Sequence, residues 1–474
     1  MRFLSTIPPE FAWGGVGVSG VSDDGAGLDG LAAGLAGAVG AERVDGLVRL
    51  TGGASRETWG FEAVDAAGAR RSLILRRDPA GRMSEPGAMA NEAAAMRACH
   101  AAGLRVPEVV VDAEAPSPWE TAGIVMTRIE GEALARRILR DDAFAAARSN
   151  LVGDLATFLA GLHAIDPDRI PDLKRPDPIA LARSNMELVG EVSPTVELAF
   201  RWLAATPPPA RDDVVVHGDL RMGNVLVGPD GMTAALDWEL LHRGNPVEDL
   251  GWLCTKAWRF GAPLPVGGVG TREELLAAYR RAGGVDVDLD ELRWWEVLNT
   301  LKWAVGCMGQ AGVHLRGAVR SVELAAIGRR VCEQEWDLLL LLCPAGAERH
   351  RSTVVTAVAD PVDLHGRPTN DELLEAVEDF LREEVLPGTD GRLSFLARVA
   401  ANAVAISRRE LAAGPEDAER RAKELAAFDV TTEAELADRI RAGELDDRLD
   451  DLHEVLASGV ARKVAVANPK YLSQ

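Results

Sequence analysis

Basic residues are in short supply in this sequence: 52 Lys and Arg face 73 Asp and Glu, giving a net charge of −21 and a pI near 4.9. Surfaces that bind nucleic acid are basic, because neutralising phosphates releases counterions, so a nucleic-acid partner is disfavoured. The acidity does not in turn specify a cationic substrate. Residues 367–457 hold 23 Asp and Glu against 12 Lys and Arg, about half of the whole excess, far in sequence from the segment that carries chemistry. Cysteine is scarce as well. Cys99, Cys254, Cys307, Cys332 and Cys343 are odd in number and show no CxxC spacing. Neither a zinc site nor a disulfide framework is indicated, and a reducing cytoplasm fits. Long apolar runs are missing: Leu338 to Cys343 falls far short of the roughly 20 residues that cross a bilayer. The first residues also lack a basic stretch followed by an apolar one, so neither a membrane span nor an export signal is expected.

What is present is ordinary globular composition, 47% apolar and 26% charged, over 474 residues. That length exceeds one ordinary domain and predicts two or three folding units. Residues 1–28, rich in Gly, Ser, Val and Asp without periodicity, read as a flexible extension. Residues 29–130 begin with a Leu- and Ala-patterned helix. Two β-like runs follow, Thr58 to Val64 and Arg71 to Arg76, forming a hairpin across Asp65–Gly68, and then a helix over Pro86 to Ala102. With strands at Val106 to Val111 and Gly123 to Ile129, this predicts a small mixed sheet and one crossing helix. Residues 131–345 are largely helical around two short β-like runs, 346–366 read as a linker, and 367–474 as a separate acidic all-α domain. In that last part Asp371 and Glu372 occupy a first helical turn, where they complement the dipole, and Thr432-x-x-Glu435 spells a capping box.

The richest segment reads Val214-Val-Val-His217-Gly-Asp219-Leu-Arg-Met-Gly-Asn224-Val-Leu-Val227, then a Gly228-Pro-Asp-Gly231 turn, then Thr233-Ala-Ala-Leu-Asp237-Trp-Glu239. Phosphoryl transfer asks little covalent help of a protein. It needs a carboxylate to orient the attacking hydroxyl and take its proton, and oxygen ligands that hold Mg²⁺ against phosphates. Asp219 is placed to be the base, and Asn224 and Asp237 offer hard oxygen ligands across one short hairpin. His217 reads as a loop support. Read one by one, these are polar residues at turns between buried strands; the spacing of the set is what points to chemistry.

His217-x-Asp219-x4-Asn224, followed thirteen residues later by Asp237, resembles the aminoglycoside phosphotransferase and choline kinase branch of the protein-kinase-like superfamily. The resemblance covers about residues 42–330 and implies an α+β fold of two lobes with ATP in the cleft. It implies Asp219 as base, Asn224 and Asp237 as Mg²⁺ ligands, and a small-molecule hydroxyl as acceptor. Glu239, two residues past Asp237, becomes a candidate for a second metal or the substrate, and Asp249 resembles the family acid that buttresses the catalytic loop.

The glycine-bearing stretch with Gly52, Gly53 and Ser55 is neither a Walker loop nor a GxGxxG. Its place before two β-like runs suggests backbone amides and a hydroxyl that meet ATP phosphates. In the family a strand lysine pairs with a helix glutamate and with phosphate oxygens; here Arg76 stands in that place, with Glu92 in the next helix. Arginine keeps the charge but is longer and planar. This departure resembles a subgroup that includes kinase-like domains joined to, or encoded near, acyl-CoA dehydrogenases. Met126 and Arg128, in Met126-Thr-Arg-Ile-Glu-Gly131, resemble the hinge that contacts adenine.

On the acceptor side Trp252, Trp258, Trp294, Trp295 and Trp303 read as core, or as an aromatic wall. Lys302, His314 and Arg316 would suit an anionic acceptor such as a hydroxy acid or hydroxyacyl thioester. The tail resembles a helical domain of unknown function that follows some of these phosphotransferases, which implies self-association, a protein partner or regulation. Two alternatives stay open: a nucleotide-binding scaffold without catalysis, motivated by Arg76, and an aminoglycoside or amino-alcohol kinase with the same mechanism.

Overall fold

The computed structural model describes residues 25–50, 56–79, 87–355 and 368–474. The chain forms two compact units, one from residues up to 177 together with 208–296, the other from 178–207 together with 297–474.

In the first unit, strands β1 (Arg43–Leu50), β2 (Glu57–Val64), β3 (Arg70–Arg77), β4 (Val109–Ala113) and β5 (Gly123–Thr127) make one sheet in the order β1-β2-β3-β5-β4. Every pairing is antiparallel, so the sheet expected to be mixed is not. The reason is the return path: after the helix Ala88–Ala101 the chain lays β4 at the edge, and β5 then inserts between β4 and β3, running against both. The hairpin predicted across Asp65–Gly68 forms, with the Gly68 amide donating to the Asp65 carbonyl at 2.9 Å.

Two-residue periodicity decides which side chains of β3 do what. Leu73 and Leu75 point into a core with Trp59, Phe61, Trp119, Val125 and Leu35 of the first helix (Gly25–Val39). The opposite face of the sheet carries Ile124, which packs with Met89 and Ala93 of the helix Ala88–Ala101. Arg76 is the register partner of Ile124 and so lies on that second face, toward Glu92 of the same helix.

Farther along, β6 (Val214–Val216) pairs with β9 (His242–Gly244), and β7 (Val225–Gly228) with β8 (Gly231–Ala235) across the Gly228–Gly231 turn. The helices Ala145–His163 and Val247–Cys254 bracket this segment in sequence, and each contributes a buried polar side chain to it.

The second unit is helical. Its core gathers Leu198 from the helix Pro194–Ala205, Trp336 and Leu339 from Val331–Leu342, Leu436 and Ile440 from Glu433–Ala442, and Leu456, Val460 and Val464 from Leu449–Ala467. The capping box read at Thr432 forms: the Thr432 hydroxyl accepts from the Glu435 amide at 3.1 Å and the Glu435 carboxylate accepts from the Thr432 amide at 3.2 Å. A second box closes at Thr369 and Glu372. Among the described residues no helix is long and apolar enough to cross a membrane.

Candidate active site

The β7–β8 hairpin brings Asn224 and Asp237 to one end of a ladder. Val225 faces Ala235, and the Leu236 amide donates to the Asn224 carbonyl at 2.8 Å. Asp237 turns away from the strand with φ 67°, a left-handed conformation that Asp tolerates because its short polar side chain bonds locally. Asp219 arrives from the other side, two residues after His217, which follows β6 directly. Between them Gly218 has φ 79°, and a Cβ there would sit 2.5 Å from the Leu240 carbonyl oxygen, so the loop requires glycine.

Asp219 is buried and held by three donors. The Asn224 side-chain amide reaches its Oδ2 at 2.6 Å, while the Trp252 indole and the Arg221 Nε reach Oδ1 at 2.8 and 3.0 Å. Burial pushes the Asp219 carboxyl above its usual range, with Arg221 acting in the opposite direction. The Asn224 nitrogen also donates to the Asp219 carbonyl at 2.9 Å, which leaves the amide oxygen as the group Asn224 can offer to a cation.

Asp249 organises the loop from behind. Its Oδ2 accepts from the His217 amide and its Oδ1 from the Gly218 amide, both at 2.9 Å, and His163 Nε2 lies 3.1 Å from Oδ2. The other nitrogen of His163 is 2.8 Å from the Tyr279 hydroxyl. Burial works against the Asp249 charge, but His163 and the other donors outweigh it and hold the carboxyl below its usual range. His217 accepts from the Asp219 amide through Nδ1 at 3.2 Å and packs on Trp238, ring centroids 4.5 Å apart. Burial lowers the His217 pKa, so the ring stays neutral and braces the loop.

Arg76 meets three acids at once. Its Nη2 pairs with Asp237 and lies 3.5 Å from Glu239, and its Nη1 lies 3.4 Å from Glu92. Burial works to lower the Arg76 pKa, but these carboxylates overcome it and raise the value. Conversely, burial pushes Asp237 up, and Arg76 more than offsets this to leave the carboxyl below its usual range. Glu92 holds a second guanidinium: Arg56 Nη1 donates to it at 2.5 Å, while Arg56 Nε lies 3.3 Å from Asp78.

The structure thus brings together Asp219, Asn224 and His217 on one loop, Asp249 behind them, and Asp237, Glu239, Arg76 and Glu92 in one ionic cluster. It does not bring the two hinge residues into that cluster. Met126 is buried in β5 against β3 and β4, and the half-exposed Arg128 lies 3.7 Å from Glu130. Gly52, Gly53 and Ser55 lie outside the described residues. Arg56, Asp78, Arg221 and the His163–Tyr279 pair were not foreseen. Two signals were available: Arg56 directly follows the glycine-bearing stretch, and Trp252 falls three residues after Asp249 on one helix, so both address the same loop.

The family model described as the phosphotransferase enzyme family matches residues 46–295, and the chain belongs to that family. The described residues of the chain form an α+β fold, and the family is one of phosphotransferase enzymes. A second model, a domain of unknown function (DUF6285), matches residues 387–471. Acyl-CoA dehydrogenase family member 11 of Gallus gallus is 26% identical over 360 residues, 69% of this chain and 44% of that protein. The Rattus norvegicus protein of the same name is 23% identical over 348 residues, 67% and 43% respectively. The chain therefore spans under half the length of these relatives. A solved chain assigned as an aminoglycoside phosphotransferase from Ralstonia eutropha is 21% identical with a TM-score of 0.49, covering 62% of this chain and 92% of that one.

Proposed function

We propose that this phosphotransferase is an ATP- and Mg²⁺-dependent kinase for a hydroxyl of a small metabolite, with a hydroxy acid or hydroxyacyl thioester as the acceptor class. The observation that carries the reading is the setting of Asp219. It is a buried carboxylate with raised proton affinity, fixed by Asn224, Trp252 and Arg221 and backed by a loop that Asp249 clamps. A general base works best when its position is fixed and its pKa is moved toward the working pH. Asp219 would align the acceptor hydroxyl and take its proton, and the neutral His217 would hold the loop still.

The donor set fits a hard cation. Asn224 Oδ1, Asp237 and Glu239 would all offer oxygen atoms. That suits Mg²⁺, which is commonly bound through one or two carboxylates together with substrate phosphates. When bound, the ion would neutralise charge on the phosphoryl group in transfer. Arg76, poised between Glu92 and Asp237, would grip phosphate oxygens, and Arg56 would keep Glu92 in place.

The acceptor class is supported by the likeness to proteins named for acyl-CoA dehydrogenase activity. All five cysteines are buried thiols, in keeping with a reducing compartment such as the cytoplasm. One observation favours a second reading, a nucleotide-binding scaffold: Arg76 already occupies the Asp237 carboxylate that a metal would need. The test is an acceptor screen with ATP and Mg²⁺ over hydroxyacyl thioesters, hydroxy acids, amino alcohols and aminoglycosides, read by mass spectrometry. A phosphorylated hydroxy acid or thioester is expected. Nucleotide binding with no phosphorylated product from any acceptor would sink the kinase reading in favour of the scaffold.

A further inference from the structure

In the helical unit the helices Asn370–Asp379 and Gly391–Ala426 form a hairpin, the first continuing through Phe380–Val385 before the turn. The side of the first helix that meets the second is ionic. Arg408 of the second helix lies 2.8 Å from Asp371, 2.8 Å from Glu375 and 3.3 Å from Glu378, and Arg382 donates to Glu378 and Asn402 at 2.8 and 3.2 Å. Asp371, Glu375 and Glu378 recur in steps of four and three, so they mark one helical face. Leu373, Val377 and Phe380 recur in the same steps, roughly half a turn around the helix. The apolar stripe therefore faces away from the helix that its own hairpin supplies.

Leu373, Val377 and Phe380 are 53%, 48% and 52% exposed, and no residue from Asn370 to Val385 is buried. Across the turn Leu393 and Phe395 are exposed as well. With Leu411 these make six of the eighteen large apolar side chains exposed among the described residues, and apolar clusters of this kind mark interaction surfaces. Charge is divided just as sharply. Residues 370–390 hold eight Asp and Glu against Arg382 alone, whereas residues 391–409 hold four Arg and no acid. Arg408 and Arg382 neutralise part of this within the hairpin. Among the described residues the exposed Asp379, Glu383, Glu384 and Arg398 make no ion pair, and Arg392 has only Glu323 at 3.9 Å.

We propose that this hairpin is the docking surface for a second copy of the chain. The stripe of Leu373, Val377 and Phe380 on one copy packs on Leu393 and Phe395 of the other, and Glu383 and Glu384 of each copy meet Arg392 and Arg398 of its mate. A two-fold axis makes every such contact twice, so a surface that carries both signs is complementary to itself. The outcome is a bundle of four helices whose outward stripes have become a core. A partner of one sign would match only half of the surface. A basic one would set like charge against Arg392 and Arg398, and an acidic one against Glu383 and Glu384.

Sedimentation equilibrium of the full chain should show a monomer–dimer exchange. Phe380→Glu, at an exposed position, should weaken association by about tenfold or more while leaving thermal unfolding unchanged, because it exchanges an interfacial aromatic ring for a charge. Glu383→Arg with Glu384→Arg in one chain sets Arg against the Arg398 of its mate, and Arg398→Glu sets acid against acid. Each of these variants alone should dimerise several-fold less well than the wild type. Mixed in equal amounts, the two should form a heterodimer several-fold tighter than either homodimer, because opposite charges then face each other in both contacts. A chain that stays monomeric through the micromolar range, a dimer indifferent to Phe380→Glu, or no gain on mixing would each overturn the proposal.

Discussion

Asp249 in the first unit and Glu197 in the second are both fully buried carboxylates, and the protein treats them in opposite ways. Asp249 spreads its charge over both oxygens, which accept from two backbone amides and face His163. Glu197 loads one oxygen with two guanidiniums and leaves the other bare. A carboxylate with both oxygens satisfied has nothing to offer a ligand and serves as a fixed strut. A half-satisfied one carries an unmet acceptor inside the packed interior.

The largest expected effect tests whether the strut serves a working base. Asp219→Asn should lower kcat by about 10²–10⁴, the usual contribution of a general acid or base. Nucleotide affinity, measured by calorimetry, should barely change; near-normal turnover would remove Asp219 from the mechanism. The acid limb of kcat/KM in the wild type should lie above the ordinary aspartate pKa of about 4, because burial raises the Asp219 value and the base must be ionised to act.

Next in size, Asp249→Asn should destabilise the first unit by roughly 3–5 kcal/mol in urea unfolding, since it removes one partner of a buried charge network. The folded pKa of Asp249 lies below its unfolded value. Its stabilisation is therefore full above about pH 4 and is lost as pH falls through the folded value. The substitution should flatten that part of the stability profile, and an unchanged acid dependence would break the strut assignment.

Arg76→Lys should raise the KM for ATP by about tenfold with a smaller change in kcat. Lysine keeps the charge but cannot hold Glu92 and Asp237 with two separate nitrogens. An unchanged KM would argue that lysine geometry serves as well. Smallest of all, Glu197→Gln should cost about 1 kcal/mol or less in stability, because Arg183 and Arg441 are 28% and 49% exposed and solvent screens such pairs. A loss there as large as that of Asp249→Asn would erase the contrast between the two carboxylates.

The parts of the site that were legible in advance share one property: they are close in sequence. His217, Asp219, Asn224 and Asp237 sit within one strand–loop–hairpin segment, whose turn residues and alternation fix their spacing. The hairpin of β2 and β3 and the Thr432 capping box were readable for the same reason. Arg56 on Glu92 and the Trp252 indole on Asp219 bridge 36 and 33 positions, distances over which spacing carries no information. The antiparallel sense of the sheet was missed because the order of β4 and β5 depends on where an edge strand finds its partner.

The sequence by itself determined the spacing of the candidate acid, amide and second acid, which local periodicity and turn residues set over a few positions. Only the tertiary structure decided how those groups are held and which carboxylates are satisfied. Arg76 came to rest among three acids, Asp249 under two amides, and Glu197 with one oxygen bare. Those outcomes follow from burial and from partners distant along the chain. Hydrogen-bond satisfaction and charge balance are properties of a packed interior, and no stretch of residues possesses them alone.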